Sequence, residues 1–148
     1  MSVAKKKPTQ RSACPINVSL EMLGDRWSLL IIRDLMFKGL RTYKEFLESD
    51  EGIATNILAD RIKKLEGCGI ISTEEDPNDR RKWIYRLTRK GIDLAPTLVE
   101  LILWGARYEQ TAAPPNLVRK MEKNRGEFLA DLRARWEETD SDGDEENE

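Results

Sequence analysis

One stretch of this chain, residues 70 to 87, abandons helical periodicity, and that interruption constrains the fold more than any other feature. Ile70-Ile71-Ser72-Thr73 has the texture of a strand, and Asp76-Pro77-Asn78-Asp79 is a turn cluster. From Lys82 to Leu87 the residues alternate. Trp83, Tyr85 and Leu87 fall on one side, and Lys82, Ile84 and Arg86 on the other. The reading is a two-stranded hairpin whose tip holds Asp79, Arg80 and Arg81. Helical segments flank it on both sides, so the expected class is mainly α with a small β-hairpin.

Four helices are expected before the hairpin. Pro15 suits a first helical position, Ile16, Leu20 and Leu23 recur at helical spacing, and Gly24 ends that helix. Asp25 caps a second helix that runs to about Phe37. Its apolar residues cover most of the circumference, which marks the central, buried helix. Thr42-Tyr43-Lys44-Glu45 is a capping-box pattern that opens a third, ending near Ser49. The fourth runs from about Ala54 to Cys68. Ala54, Ile57, Leu58, Ile62 and Leu65 share one side, and Thr55, Asn56, Ala59, Asp60 and Lys63 the other. After the hairpin, Thr88 caps a long helix reaching Tyr108, with a kink or early break expected at Pro96. Pro114-Pro115 ends it, and one last amphipathic helix spans about Asn116 to Glu138.

Charge is unevenly spread. The 148 residues carry 25 basic and 27 acidic side chains, a net charge of −2. The last twelve residues hold eight acids and no base, so the remainder stands at +6. The first twelve hold Lys5, Lys6, Lys7 and Arg11 and no acid. The expected organisation is a disordered basic arm over 1–12 and a core domain over 13–112. A C-terminal helix over 113–138 and a disordered acidic tail over 139–148 follow.

The same inventory removes several classes. No run reaches the roughly 18 apolar residues of a membrane span, and no signal-peptide stretch opens the chain, so a cytoplasmic address is expected. There is no histidine, which sets aside His-based catalysis and most zinc sites. Cys14 and Cys68 match no metal-ligand spacing. Neither a Gly-rich phosphate loop, a nucleophile–base pairing nor a paired-carboxylate motif is present. No metal, cofactor or catalytic residue is expected, and the chain does not read as an enzyme.

Four helices, a basic-tipped hairpin and a further helix follow the order of a winged helix-turn-helix. In that geometry the fourth helix enters the DNA major groove and the hairpin reaches the flanking backbone or minor groove. Motifs in the chain then carry a family resemblance. Cys14-Pro15 and the run from Leu23-Gly24-Asp25-Arg26-Trp27 to Leu35 resemble the N-terminal signature of the HxlR-type transcriptional regulators. Arg41 to Phe46, Gly52 to Leu58, Arg61, Leu65-Glu66 and Gly69-Ile70-Ile71 resemble that family's third helix, recognition helix and entry to the wing. Tyr85 to Gly91 and Trp104-Gly105 resemble its last strand and dimer helix. The wing also resembles the related MarR group. The resemblance covers roughly residues 13 to 109, and the chain departs from the pattern after about residue 113.

The resemblance implies a homodimeric, sequence-specific regulator of transcription, a repressor, bound to a pseudo-palindromic operator in double-stranded DNA. Half-sites would lie about 34 Å apart or a multiple of it. The opposing reading is a winged-helix protein-interaction module without DNA binding. On the first reading Thr55, Asn56 and Ala59 reach base edges and Lys63 meets phosphate, although each also reads as an ordinary solvated helix residue. Asp60 either pairs with Lys63 or Lys64 or accepts from a cytosine amine. Arg61 reads as ion-paired and structural. Arg80, Arg81 and Lys82 suit phosphate or minor-groove contact, and Thr42 and Lys44 suit a phosphate at the third helix. Tyr43 reads as a core or staple residue.

Two further expectations follow. Cys14 lies at a helix N-terminus, where the dipole and Arg11 favour the thiolate. The resemblance implies that it senses oxidants or electrophiles, while the plain reading is an unreactive small residue. Ile16, Leu20, Leu98, Leu101, Ile102, Trp104 and Tyr108 give more apolar surface than one small core needs and are the expected dimer interface. Cys68 reads as packing. The small-molecule effector is left open.

Overall fold

A computed structural model describes the backbone of residues 10–145 and the side chains to residue 139. Residues 1–9 of the expected arm and 146–148 of the expected tail lie outside the described residues. The chain divides into two compact units, Met1–Leu87 and Thr88–Glu148. The division falls at the end of the hairpin, inside the span 13–112 read as one domain.

The first unit holds α1 (Pro15–Leu23), α2 (Ser28–Met36), α3 (Tyr43–Leu47), α4 (Thr55–Gly67) and the strands β1 (Ile71–Asp76) and β2 (Asp79–Leu87). The strands form one antiparallel sheet with Ile71 opposite Leu87, Thr73 opposite Tyr85 and Glu75 opposite Trp83. They are longer than the sequence pattern suggests, and the turn shrinks to Pro77 and Asn78. Phe46, Ile32, Leu58, Leu65 and Ile70 are fully buried, and Ile62, Ile71, Tyr85 and Leu87 nearly so. Burying such side chains is worth roughly 1.5–3 kcal/mol each relative to exposure.

Local chemistry explains each boundary. Pro15 starts α1, and at Gly24 an added Cβ would collide with the Leu20 carbonyl oxygen. The Asp25 carboxylate accepts the amides of Trp27 (2.9 Å) and Ser28 (3.0 Å) and so organises the entry to α2. The expected capping box at α3 is present: Thr42 accepts the Glu45 amide and Glu45 accepts the Thr42 amide. α4 is bracketed by Gly52 and Gly69, with φ of +66° and +73°. Glycine alone enters that left-handed region freely.

Two apolar placements in this unit depart from expectation. Ala54 ends up exposed rather than on the inner face, because it precedes the first turn of α4. Trp83 is 49% exposed, unlike Tyr85 and Leu87 on its own side of the hairpin. The buried residues of β2 are confined to the base of the hairpin, so the outer part carries its apolar residue into solvent.

The second unit holds α5 (Arg89–Ile92), α6 (Ala95–Tyr108), α7 (Pro115–Lys123) and α8 (Arg125–Glu145). Thr88 caps α5 by accepting the Gly91 amide. The long helix breaks just before Pro96, which takes a position in the first turn of α6, where its missing N–H is harmless. The single helix expected over 116–138 is two. Asn124 leaves the helical region (φ −125°, ψ 43°), and the break lets Met121 of α7 and Phe128 and Leu132 of α8 all be buried. α8 continues to Glu145, so a backbone read as disordered from residue 139 is helical for its first part. Among the described residues no helix is long and apolar enough to cross a membrane.

Candidate nucleic-acid interface

α4 presents its sequence-predicted readers together. Thr55, Asn56, Ala59, Asp60 and Lys63 are all exposed, while Leu58, Ile62 and Leu65 of the same helix are buried. No side chain caps this helix, in contrast to α3. Its start is fixed instead from outside: the Tyr43 hydroxyl donates to the Thr55 carbonyl at 2.5 Å. Tyr43 therefore ties the first turn of α3 to the first turn of α4. Nothing in the sequence signals that bond, since the partners are 12 residues apart and one is a backbone atom.

Arg61 is ion-paired and structural, as its position on the wheel suggests. Its Nε donates to Asp25 Oδ2 at 2.8 Å. Its Nη1 donates to Asp60, so the partner of Asp60 is Arg61 and not the expected Lys63 or Lys64. Lys64 lies 3.9 Å from Asp25 instead. Desolvation pushes the Asp25 carboxyl up, but hydrogen bonds from the Ser28 hydroxyl, the Trp27 and Ser28 amides and Arg61 outweigh it. The carboxyl is held down to about 2.

The hairpin cations sit differently from expectation. Arg80, Arg81 and Lys82 are exposed, but they lie on β2 after the turn rather than at its tip. The register breaks here, with Glu75 opposite Trp83 but Asp76 opposite Asp79, so the three cations lie in a bulge that matches no residue of β1. Arg81 is paired locally, with Nε 3.1 Å from Asp79 Oδ1. Among the three, Arg80 and Lys82 are the better placed for phosphate.

Thr42 leaves the list of phosphate ligands. Its hydroxyl hydrogen goes to Glu45 Oε1 at 2.8 Å, inside the capping box, so none remains for a phosphate oxygen. Lys44 stays exposed beside it.

Cys14 is exposed at the N-cap of α1, with its thiol pKa lowered by the backbone amides of Asn17 and Ile16. No residue of α1 is buried, and Ile16 and Leu20 are 71% and 57% exposed. On α6, Trp104 and Tyr108 are 62% and 64% exposed with ring centroids 5.8 Å apart, beside exposed Leu101 and half-buried Ile102. Leu98, expected in the same interface, is buried at 4% and belongs to the core of the fold.

Known proteins share this arrangement. The model of the HxlR-like helix-turn-helix family matches residues 22–113. An uncharacterised helix-turn-helix transcriptional regulator of Synechocystis sp. is 34% identical over 88 residues, 60% of this chain and 64% of that one. This chain thus spans less than two thirds of that relative's length. The transcriptional regulator YodB of Bacillus subtilis is 35% identical over 111 residues, 74% of this chain and 96% of its own. The structure of reduced YodB superimposes with a TM-score of 0.54, covering 64% of this chain and 93% of that one. YodB is also known in diamide-treated and quinone-bound forms. The oxidised form of the redox regulator HypR is 25% identical, with a TM-score of 0.59, covering 66% of this chain and all of its own.

Proposed function

The chain belongs to the HxlR-like helix-turn-helix family, and from that premise we propose that it is a homodimeric, sequence-specific DNA-binding regulator of transcription, acting as a repressor in the cytoplasm. One observation carries the reading: the exposed face of α4, with Thr55, Asn56, Ala59 and Lys63, in the same unit as a hairpin bearing Arg80 and Lys82. Helix residues of these types read base edges, and hairpin cations meet phosphates. Exposed Ile16 and Leu20 on α1, and Leu101, Trp104 and Tyr108 on α6, support pairing with a second copy.

The deciding experiment is fluorescence anisotropy of the reduced protein. The duplex lying upstream of its own gene is compared with a scrambled one across a salt series. Expected is salt-dependent binding with at least about a thousandfold preference for the native duplex. Absence of binding to either at low salt favours the protein-interaction module instead. In the same assay Arg80→Ala weakens binding to every sequence and flattens the salt slope by about one. Asn56→Ala relaxes preference at one base pair.

Cys14 supplies the signal in this reading. The exposed thiol, its lowered pKa and the redox relatives support it. Diamide takes two electrons and two protons from a Cys14 pair across the dimer and leaves a disulfide. A covalent dimer on a non-reducing gel, lost in Cys14→Ser and accompanied by weaker DNA binding, is the expected result. Unchanged DNA binding after full oxidation overturns it.

A further inference from the structure

We propose that Asp60 selects a cytosine in the operator, and that Arg61 and Asp25 position it to do so. The proposal rests on α4 being the helix that enters the major groove. Asp60 shares the exposed face of α4 with Thr55, Asn56, Ala59 and Lys63, one turn beyond Asn56. A carboxylate there faces a polyanion and lowers affinity for every sequence. An acid in that position has to be explained by what it discriminates.

Arg61 holds Asp60 in place although its side chain stays largely in solvent. Arg61 donates Nη1 to Asp60 Oδ2 and Nε to Asp25 Oδ2. Asp25 is in turn fixed by the amides of Trp27 and Ser28 and by the Ser28 hydroxyl, and Ser28 is fully buried. A chain of bonds thus runs from the rigid start of α2 to a carboxylate on the outer face of α4. Lys64, the other cation nearby, approaches Asp25 at 3.9 Å. Arg61 occupies one oxygen of Asp60. Among the described residues Oδ1 carries no hydrogen bond, and the side chain remains 68% exposed.

A carboxylate oxygen accepts and cannot donate. In the major groove guanine offers two acceptors and thymine an acceptor and a methyl, so neither suits it. Adenine offers an amine beside the N7 acceptor, which repels a second acceptor. Cytosine offers its N4 amine as the polar group of its edge. The free oxygen of Asp60 is therefore matched to cytosine.

The test is selection from a library of randomised duplexes with the full-length reduced protein, followed by sequencing. Wild type, Asp60→Ala, Asp60→Asn and Arg61→Met are run side by side, with circular dichroism to verify folding. Wild type should enrich a motif with a strongly preferred cytosine in each half-site. Asp60→Ala should keep the rest of the motif and lose about tenfold in preference at that position. Asp60→Asn should move the position towards adenine, whose N6 and N7 suit an amide. Arg61→Met should relax the same position and no other, which a purely structural role would not do. An unchanged motif with uniformly tighter binding in Asp60→Ala overturns the proposal, leaving Asp60 as a general electrostatic brake. Relaxation in Asp60→Ala but not in Arg61→Met overturns the positioning role alone. A wild type that enriches no motif defeats the DNA-reading premise itself, and is distinguishable from either result.

Discussion

Two arginines of the first unit each hold a pair of acids, and the two clusters end in opposite places. Arg33 bonds Asp34 (2.8 Å) and both oxygens of Glu51 (2.5 and 2.8 Å). Asp34 is 3% exposed, so this cluster closes on itself and ties α2 to the loop before α4. Arg61 bonds Asp25 on the inside and Asp60 on the outside, and Asp60 is 68% exposed. A buried acid without its cation is costly, whereas an exposed acid is solvated by water. The first cluster is explained by folding alone. The second is not, because folding would be served by Asp25 and Arg61 without an acid at position 60.

The largest expected effect tests the closed cluster. Arg33→Met leaves Asp34 buried with Lys38, at 3.9 Å, as its one remaining cation among the described residues. A loss of about 3 kcal/mol is expected, as for other buried pairs deprived of one partner. Urea denaturation should show a lower midpoint with an unchanged slope. A loss below about 1 kcal/mol would mean that Asp34 reaches water, and the contrast between the clusters would collapse.

Acid titration comes next. Arg33 hydrogen bonds hold Glu51 down from 4.5 to about 2, and Asp25 is held down from 3.8 to about 2. Both folded values lie below the unfolded ones. Each group therefore contributes stability that is full above about pH 5 and is lost as pH falls towards 2. Glu51→Gln should flatten most of that acid limb and Asp25→Asn a smaller part, because the Glu51 shift is larger. Melting temperatures measured from pH 7 to pH 2.5 decide the matter. Equal steepness in wild type and Glu51→Gln would show that Glu51 is not held by Arg33 in solution.

The contrast also marks where sequence reading stops. The α3 capping box, the Pro15 start, the break at Pro96 and the hairpin were legible because each depends on residues within a few positions. The buried and exposed sides of α4 were legible from its 3.6-residue period. Arg33 and Glu51 are 18 residues apart, Arg61 and Asp25 are 36, and no local pattern joins either pair. The wheel placed Arg61 on the inner flank, but the partner of Asp60 depended on rotamers, and Arg61 reached it where Lys63 and Lys64 were expected to. The split at Asn124 was invisible for a similar reason. An amphipathic pattern persists across it, and only tertiary packing rewards turning the chain there. Trp83 matched the alternation of its strand, yet how far the hairpin outruns its supporting helices is not written in the alternation.

A smaller effect is expected on the open cluster. Arg61→Met removes a part-buried ion pair to Asp25, whose carboxylate keeps two amides, the Ser28 hydroxyl and nearby Lys64. The expected loss is about 1 kcal/mol, below that of a buried pair, because Asp25 keeps those partners and is not left as an unpaired charge. If urea denaturation instead gave a loss matching that of Arg33→Met, Arg61 would be a folding residue first. Its effect on base preference would then be secondary.

The smallest effect belongs to Lys38, and it separates the inside of the closed cluster from its rim. Lys38 lies 3.9 Å from Asp34 and 3.9 Å from Asp50, but its side chain is 39% exposed and that of Asp50 is 92% exposed. At that range, with water on one side, each contact is worth a few tenths of a kcal/mol and is screened by salt. Lys38→Ala should shift stability by less than about 0.5 kcal/mol, and less still in 0.5 M salt. Arg33 already supplies two short bonds to Asp34, so a distant ammonium adds little to its neutralisation. A loss above about 1.5 kcal/mol would show the charge of Asp34 shared between both cations. The Arg33→Met variant would then be cushioned by Lys38, and only the double variant would measure the full cost of the buried acid.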